Sequence, residues 1–208
     1  RFKSGLGYHI IMSNKFLLDK TLSSLEYCLK GRDDFFITTS FGYQSSLLFF
    51  LFSEIGISPK CLYIASDLAY GGIDEQKDYI SKKFDASFEL IDRNKWLHET
   101  LKGDDFLLLS EDKKRTICRG LKRNPLLEFI KNNSMKIWIS GIRKDQTKSR
   151  ESIQFLEVTD LNVIKISPLF EWTTDDITKI IKSNKLKVNI EYADLCKLNN
   201  ARECGLHF

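Results

Sequence analysis

Four short polar clusters in this 208-residue chain carry side chains able to do chemistry. The first is "TTSFGYQSS", in which Thr38, Thr39, Ser40, Ser45 and Ser46 surround Gly42 and Gln44. Hydroxyls, a glycine that permits a sharp turn and the free N–H groups of a helix start suit a phosphate or sulfate group. A plain Ser/Thr-rich turn has the same composition. The second cluster, "SDLAYGG", offers Asp67 as an acceptor for a ribose or base, or as a turn residue. The third, "SGIRKDQTKSR", gathers Arg143, Lys144, Gln146, Lys148 and Arg150, and arginine forks are the groups that bind a multiply charged anion. A solvated charged loop would read the same way. The fourth is the tail "ARECGLHF", where Arg202, Glu203 and His207 surround Cys204. Cationic neighbours lower a thiol's pKa and populate the nucleophilic thiolate.

The elements that must position these clusters alternate. Leu18, Leu22, Leu25 and Leu29 recur at helical spacing and predict a helix over about 15–29, with Ser13 or Asn14 as its cap. "FFITTS" reads as a strand, "QSSLLFFLFSEIG" as a buried helix, "CLYIAS" as a second strand and "DEQKDYISKKF" as a helix. "SFELI", "MKIWIS" and "VIKIS" supply three more strands, the middle one entered from a helix whose start is placed at Asn124-Pro125. Thr173 and Asp176 form a capping-box pattern ahead of the helix "DDITKIIKSN". This order predicts an α/β single-domain sandwich, its central, mostly parallel sheet flanked by helices, with a mobile C-terminal tail. In such sheets ligands bind beyond the carboxyl ends of the strands, where the first three clusters fall. Residues 1–14 are set apart as an N-terminal extension, 15–192 as the nucleotide-binding domain and 193–208 as a catalytic tail.

Composition narrows the classes. Apolar residues make up 42% and charged residues 29%, a globular profile. A net charge of +4 leans toward an anionic ligand without the basic excess of a nucleic-acid binder. The apolar run from Ser46 to Ile55 is too short to cross a bilayer, and no signal peptide is read at the start. Five cysteines at scattered spacing argue against a disulfide framework and for a reducing cytoplasm.

Together the clusters resemble the sulfonucleotide reductases, which include phosphoadenylyl-sulfate (PAPS) and adenylyl-sulfate (APS) reductases, within the adenine nucleotide alpha-hydrolase-like superfamily. "ECGLH" at the chain end is the most specific match. "TTSFGYQSS" resembles the family's phosphate loop, with Tyr43-Gln44 where ATP-cleaving relatives carry an aspartate. "GIRKDQTKSR" resembles its arginine loop, and "ISPLFEW" a Pro-Leu-x-Asp-Trp segment, with Glu171 in place of Asp. The resemblance implies Cys204 as nucleophile, with His207 and Glu203 beside it. It implies substrate binding by Thr39, Ser40, Gly42, Gln44, Ser45, Ser46, Asp67, Arg143, Lys144, Gln146, Arg150 and Arg202. The implied reaction is assimilatory reduction of PAPS to sulfite through a cysteine S-sulfonate. Reduced thioredoxin or glutaredoxin would be the electron donor, with no bound cofactor. No nucleic-acid or membrane partner is implied, and a homodimer is expected from the family alone.

The cluster-bearing branch of that family holds a [4Fe-4S] centre on four cysteines. Here Ile117 precedes a lone Cys118, and Asn199 stands where a partner for Cys196 would be. The expectation is therefore no iron–sulfur cluster and no metal, with Cys118 and Cys196 as structural thiols. Loss of the cluster points to PAPS, with Arg119, Lys122 and Arg123 as candidates for its 3′-phosphate. The setting of Cys118 instead resembles the APS branch. "DLAYGGIDEQ" keeps Asp67, Tyr70 and Glu75 of a family segment but departs elsewhere, and the stretch before "ECGLH" is short. A cluster-free APS reductase and a non-reducing nucleotide-binding relative are the alternatives.

Overall fold

The computed structural model describes residues 5–197, with side chains from 15 to 196. A six-stranded sheet forms its centre, in the order β4-β2-β1-β5-β7-β6. The middle strand is β1 (Phe35–Thr39), flanked in parallel by β2 (Lys60–Ala65) and β5 (Ile137–Ser140). Further out, β4 (Ser87–Asp92) and β7 (Ile164–Ile166) are also parallel to their neighbours. All five strands expected from the sequence are present. The edge strand β6 (Leu156–Val158) runs antiparallel to β7, and Leu156 and Val158 are exposed, so it lacks the apolar run that marks a buried strand.

Successive side chains on a strand point to opposite faces, and here that alternation sorts the core into two layers. Phe35, Ile37, Ile137 and Ile139 pack on one face with α1 (Gly5–Leu29), α2 (Ser45–Glu54) and α6 (Thr174–Ser183). Phe36, Leu62 and Trp138 face the other way, onto Leu126, Phe129 and Ile130 of α5 (Glu111–Asn132). Residues Ser45 to Phe52 of α2 are all buried. That explains a helix apolar on every side: it lies between the sheet, α6 and α3 (Ile73–Phe84). The Thr173–Asp176 capping box forms as expected. Thr173 N donates to Asp176 Oδ2 at 3.0 Å, and Asp176 N to Thr173 Oγ1 at 3.2 Å.

Two sequence expectations change. Helix α1 begins at Gly5 and runs through Ser13 and Asn14, so neither of them caps it. Asn124-Pro125 does not start a helix, because α5 runs continuously through Pro125. A proline lacks the N–H for the bond to residue i−4, and the missing bond is tolerated in a helix whose Pro125 is buried and whose Leu126 and Phe129 pack on the sheet. A further helix, α4 (Asn94–Leu101), lies beside α5, and Trp96 covers Gly120 so closely that a Cβ there would meet its ring at 2.4 Å.

The segment after α6 returns across the carboxyl end of the sheet. There β8 (Ala193–Asp194) pairs antiparallel with β3 (Ala69–Tyr70). The turn after β3 requires glycine for two reasons. Gly71 has φ of +86°, and a Cβ on it would sit 2.1 Å from Glu191 O. Asn189 Nδ2 donates to Gly71 O at 2.8 Å from the same segment. Gly71→Ala should therefore cost roughly 3 kcal/mol or more in denaturant unfolding, combining positive-φ strain with backbone collision. Gly31→Ala shares the positive φ but has open space around it, and should cost only about 1 kcal/mol. Equal costs would show that the returning segment does not press on Gly71.

Candidate active site

A cleft of about 310 Å³ opens at the carboxyl ends of β1, β2 and β5. Its first wall is the loop from β1 to α2, where Thr38, Thr39, Ser40, Gln44 and Ser45 line the space. Thr39 Oγ1 accepts from Phe41 N at 3.1 Å and donates to Ser45 Oγ at 3.1 Å, which closes the turn. Phe41 holds a positive φ of 55° with its ring fully buried against Tyr63 and Phe88. Gln44 occupies the N-cap of α2 but makes no side-chain cap. A helix start without its own cap is suited to an anion, because its first-turn N–H groups and dipole favour negative charge.

The second wall is the loop after β5. Its hub is Gln146, whose Oε1 accepts from Arg143 N at 3.1 Å and from Arg150 Nη1. Gln146 Nε2 donates to Gln44 Oε1 at 3.4 Å, and Gln44 Nε2 donates to Gly141 O. The two loops are thus tied by their amides, and Arg150 is brought to the cleft beside Thr147. Arg143 faces elsewhere. Its Nε lies 2.9 Å from Asp145 Oδ1, and its Nη2 donates to Thr174 Oγ1 at 3.1 Å. Burial lowers the Arg143 pKa, Asp145 opposes that shift and the nearby Arg150 adds to it. Lys144 places its Nζ over the Phe170 ring at 4.7 Å. Neither residue lines the cleft, so of the three cations predicted to bind substrate this loop presents only Arg150 there, while Arg143 and Lys144 hold its shape.

Of the third wall the sequence singled out Lys122 alone, as a candidate for a 3′-phosphate. Lys122 of α5 donates to Asp194 Oδ2 at 2.6 Å, and Tyr192 Oη donates to the same oxygen at 3.1 Å. All three residues line the cleft. Tyr63 also lines it, its pKa pushed up to about 12 by burial, with Tyr192, Asp74, Asp194 and Asp92 adding to the shift. Its hydroxyl therefore keeps its proton through the neutral range. Lys122 carries the one signal that spacing could have offered, a lysine one turn after Cys118, but Tyr192 and Asp194 come from a segment without periodicity.

The remaining predicted residues divide. Gly42 lies under the Tyr192 ring, which a Cβ would meet at 3.2 Å. Ser46 is fully buried, receives Gln76 Nε2 at 2.6 Å and donates to Lys187 O. Asp67 lies outside the cleft lining and contacts His98 Nε2 at 2.8 Å. Arg202, Glu203, Cys204 and His207 lie outside the described residues.

The cysteines require a correction. Cys118 and Cys196 are not separate thiols: their sulfurs are bonded, across a Cα separation of 6.0 Å. They lie 78 residues apart in sequence, so only the docking of the returning segment on α5 brings them together. Cys61 is buried and its thiol pKa is pushed well up by that burial, while half-buried Cys28 is raised by the same cause. A [4Fe-4S] cluster needs four thiolates. Here two sulfurs meet and each is the other's partner, so the residues do not fit that group. No group of three or more metal-ligating side chains occurs among the described residues, and none of their helices is long and apolar enough to cross a membrane.

Comparison with known proteins agrees with this architecture. An APS reductase of Bacillus thuringiensis (strain Al Hakam) is 25% identical over 174 residues, covering 81% of this chain and 72% of its own length. The crystal structure of the PAPS reductase from Candida auris, a phosphate complex, superposes with a TM-score of 0.68 at 19% identity, covering 88% of each chain. A U34-tRNA thiolase from Methanococcus maripaludis, solved with its [4Fe-4S] cluster, shares the fold at TM-score 0.58 and 14% identity, covering 86% of this chain and 66% of that one. These solved structures share the fold of the sheet and its helices. Residues 34–195 match the phosphoadenosine phosphosulfate reductase domain, and the span covers every wall of the cleft. This chain belongs to that family of sulfonucleotide reductases.

Proposed function

We propose that this protein reduces PAPS to sulfite and adenosine 3′,5′-bisphosphate, with Cys204 as the nucleophile. The observation that supports the reading best is the cleft itself. An uncapped helix start and a hydroxyl-rich loop face Arg150 and Lys122 across one opening at the carboxyl end of the sheet. That arrangement suits a phosphosulfate: N–H and O–H groups meet its oxygens and the cations offset its charge.

The chemistry proceeds in two displacements. Cys204 thiolate attacks the sulfur of the sulfate group, an S–S bond forms, the S–O bond to the nucleotide breaks, and the nucleotide departs as its phosphate. The product on the enzyme is a cysteine S-sulfonate. A thiolate of reduced thioredoxin or glutaredoxin then attacks Cys204 Sγ and expels sulfite with the bonding electron pair. The donor's second thiol resolves the mixed disulfide and leaves Cys204 as a thiol. No step needs a bound metal or flavin, because the donor's two thiols supply both electrons. Cys204 lies ten positions after Asp194 of the cleft wall. Such a stretch reaches at most about 35 Å when extended, enough to bring the thiol back over the cleft.

A second reading, APS as substrate, is favoured by specific observations. The similar Bacillus protein is named an APS reductase. Of the three cations considered for a 3′-phosphate, Arg119 is exposed and Arg123 pairs with Asp160, and neither lines the cleft. Lys122 does line it, already in contact with Asp194.

Sulfite release with reduced thioredoxin, measured in parallel on PAPS and APS, tests the proposal. The expected result is sulfite from PAPS, abolished in Cys204→Ser. Sulfite from APS alone would replace the substrate, and none from either nucleotide would overturn the reductase reading. In the active assay, Arg150→Ala should lower kcat/KM by roughly 10- to 100-fold, the loss of a charge-assisted contact. Arg143→Ala should instead act mainly through stability, seen as a lower Tm, since its partners are Asp145 and Thr174.

A further inference from the structure

Helix α5 and the last described turn of the chain meet at two points one helical turn apart. Cys118 and Lys122 stand at i and i+4 on one face of α5. Opposite them, Asp194 and Cys196 are two residues apart. The sulfurs of Cys118 and Cys196 are bonded, and their Cα separation of 6.0 Å lies in the ordinary range for disulfides. Lys122 Nζ reaches Asp194 Oδ2 at 2.6 Å, and Asp194 Oδ1 accepts from Cys196 N at 3.0 Å. Leu68, Leu97, Phe106, Ile117 and Leu121 enclose the sulfurs in a small apolar cluster. Leu195 N donates to Leu68 O at 2.7 Å, continuing the β3–β8 ribbon.

We propose that Cys118 and Cys196 form a reversible disulfide that fixes the root of the C-terminal tail to α5 beside the cleft. The thiol redox state then sets how firmly the chain from residue 195 onward is held. Two neighbours give the device its shape. The Lys122–Asp194 pair, one turn along α5, keeps the cleft wall in place when the sulfurs part. The bond itself lies eight residues before Cys204, which makes it the covalent tie nearest the nucleophile in sequence among the described residues.

The step balances as thiol–disulfide exchange with a small-molecule or protein disulfide. One cysteine thiolate attacks that disulfide, forming a mixed disulfide and releasing one thiol. The second cysteine thiolate then attacks the first cysteine's sulfur and releases the other thiol. Two protons leave, the cysteine pair is oxidised, and the external disulfide is reduced. A dithiol drives the reverse. Both sulfurs are buried, so exchange follows local opening of the turn at Cys196.

The bond is independent of the reductase reading, and its effect on turnover rests on it. The full chain is equilibrated with oxidised glutathione, then denatured in iodoacetamide and mapped by mass spectrometry. Cys28, Cys61 and Cys204 should be labelled while Cys118 and Cys196 appear as one linked peptide pair, and dithiothreitol should expose all five thiols. Labelling of Cys118 and Cys196 without reductant, or iron bound in stoichiometric amount, overturns the proposal. Hydrogen exchange supplies the second arm. Reduction should raise exchange at Leu195 and Cys196 by roughly tenfold or more, consistent with local opening. It should also lower Tm by roughly 5–15 °C, as expected for opening a long loop. Cys118→Ala should exchange fast with or without reductant. No response of the wild type, or an equal response of the variant, contradicts the tether. Sulfite release under both conditions is read separately, so an inactive protein with an intact tether rejects the function alone.

Discussion

Asp194 is the constraint on which the mouth of the cleft depends. Its carboxylate is almost wholly withdrawn from water and receives Lys122 Nζ, Tyr192 Oη and Cys196 N together. A buried carboxylate is costly unless its oxygens are satisfied, and breaking such a pair by removing one partner costs ~3–5 kcal/mol. Satisfying Asp194 therefore pulls three elements to one point: α5 through Lys122, the returning segment through Tyr192, and the turn at Cys196. The β3–β8 ribbon and the glycine at position 71 let that segment lie flat on the loop after β2. The Tyr192 ring then covers Gly42 in the first loop. One satisfied charge connects the rear helix to the turn between β1 and α2.

The front of the cleft is held by neutral amides. Gln44 and Gln146 join the loops after β1 and β5, and Gln146 also holds Arg150. The resemblance places an aspartate in the first loop of ATP-cleaving relatives. Here that loop carries the neutral Gln44, tied through Gln146 to the loop that holds Arg150. The same logic accounts for Arg143, whose charge is matched by Asp145 within the loop and shapes the backbone.

Much of this was legible in the sequence because the relevant physics is local. The β1 run "FFITTS" alternates between two buried faces, the all-apolar α2 could only be an interior helix, and Thr173 with Asp176 is a capping box by spacing. The turn between β1 and α2 and the place of Arg150 at the cleft were legible for the same reason, since strand ends and glycine turns announce themselves. Of the third wall only Lys122 was. Tyr192, Asp194 and Cys196 lie in a stretch without period, and their partners on α5 are some seventy residues away. Scattered cysteines read as thiols because nothing in their spacing reveals that the chain returns. Pro125 misled for the opposite reason: a strong local rule was overridden by burial of the helix around it.

The account turns on Cys204 acting at a bound sulfonucleotide. Its most direct test is the intact mass of the reduced protein after incubation with PAPS or APS and no thiol donor, followed by peptide mapping. The prediction is a gain of one sulfonate on Cys204, removed by reduced thioredoxin with sulfite in equal amount. An unmodified Cys204 in folded protein saturated with either nucleotide would contradict it.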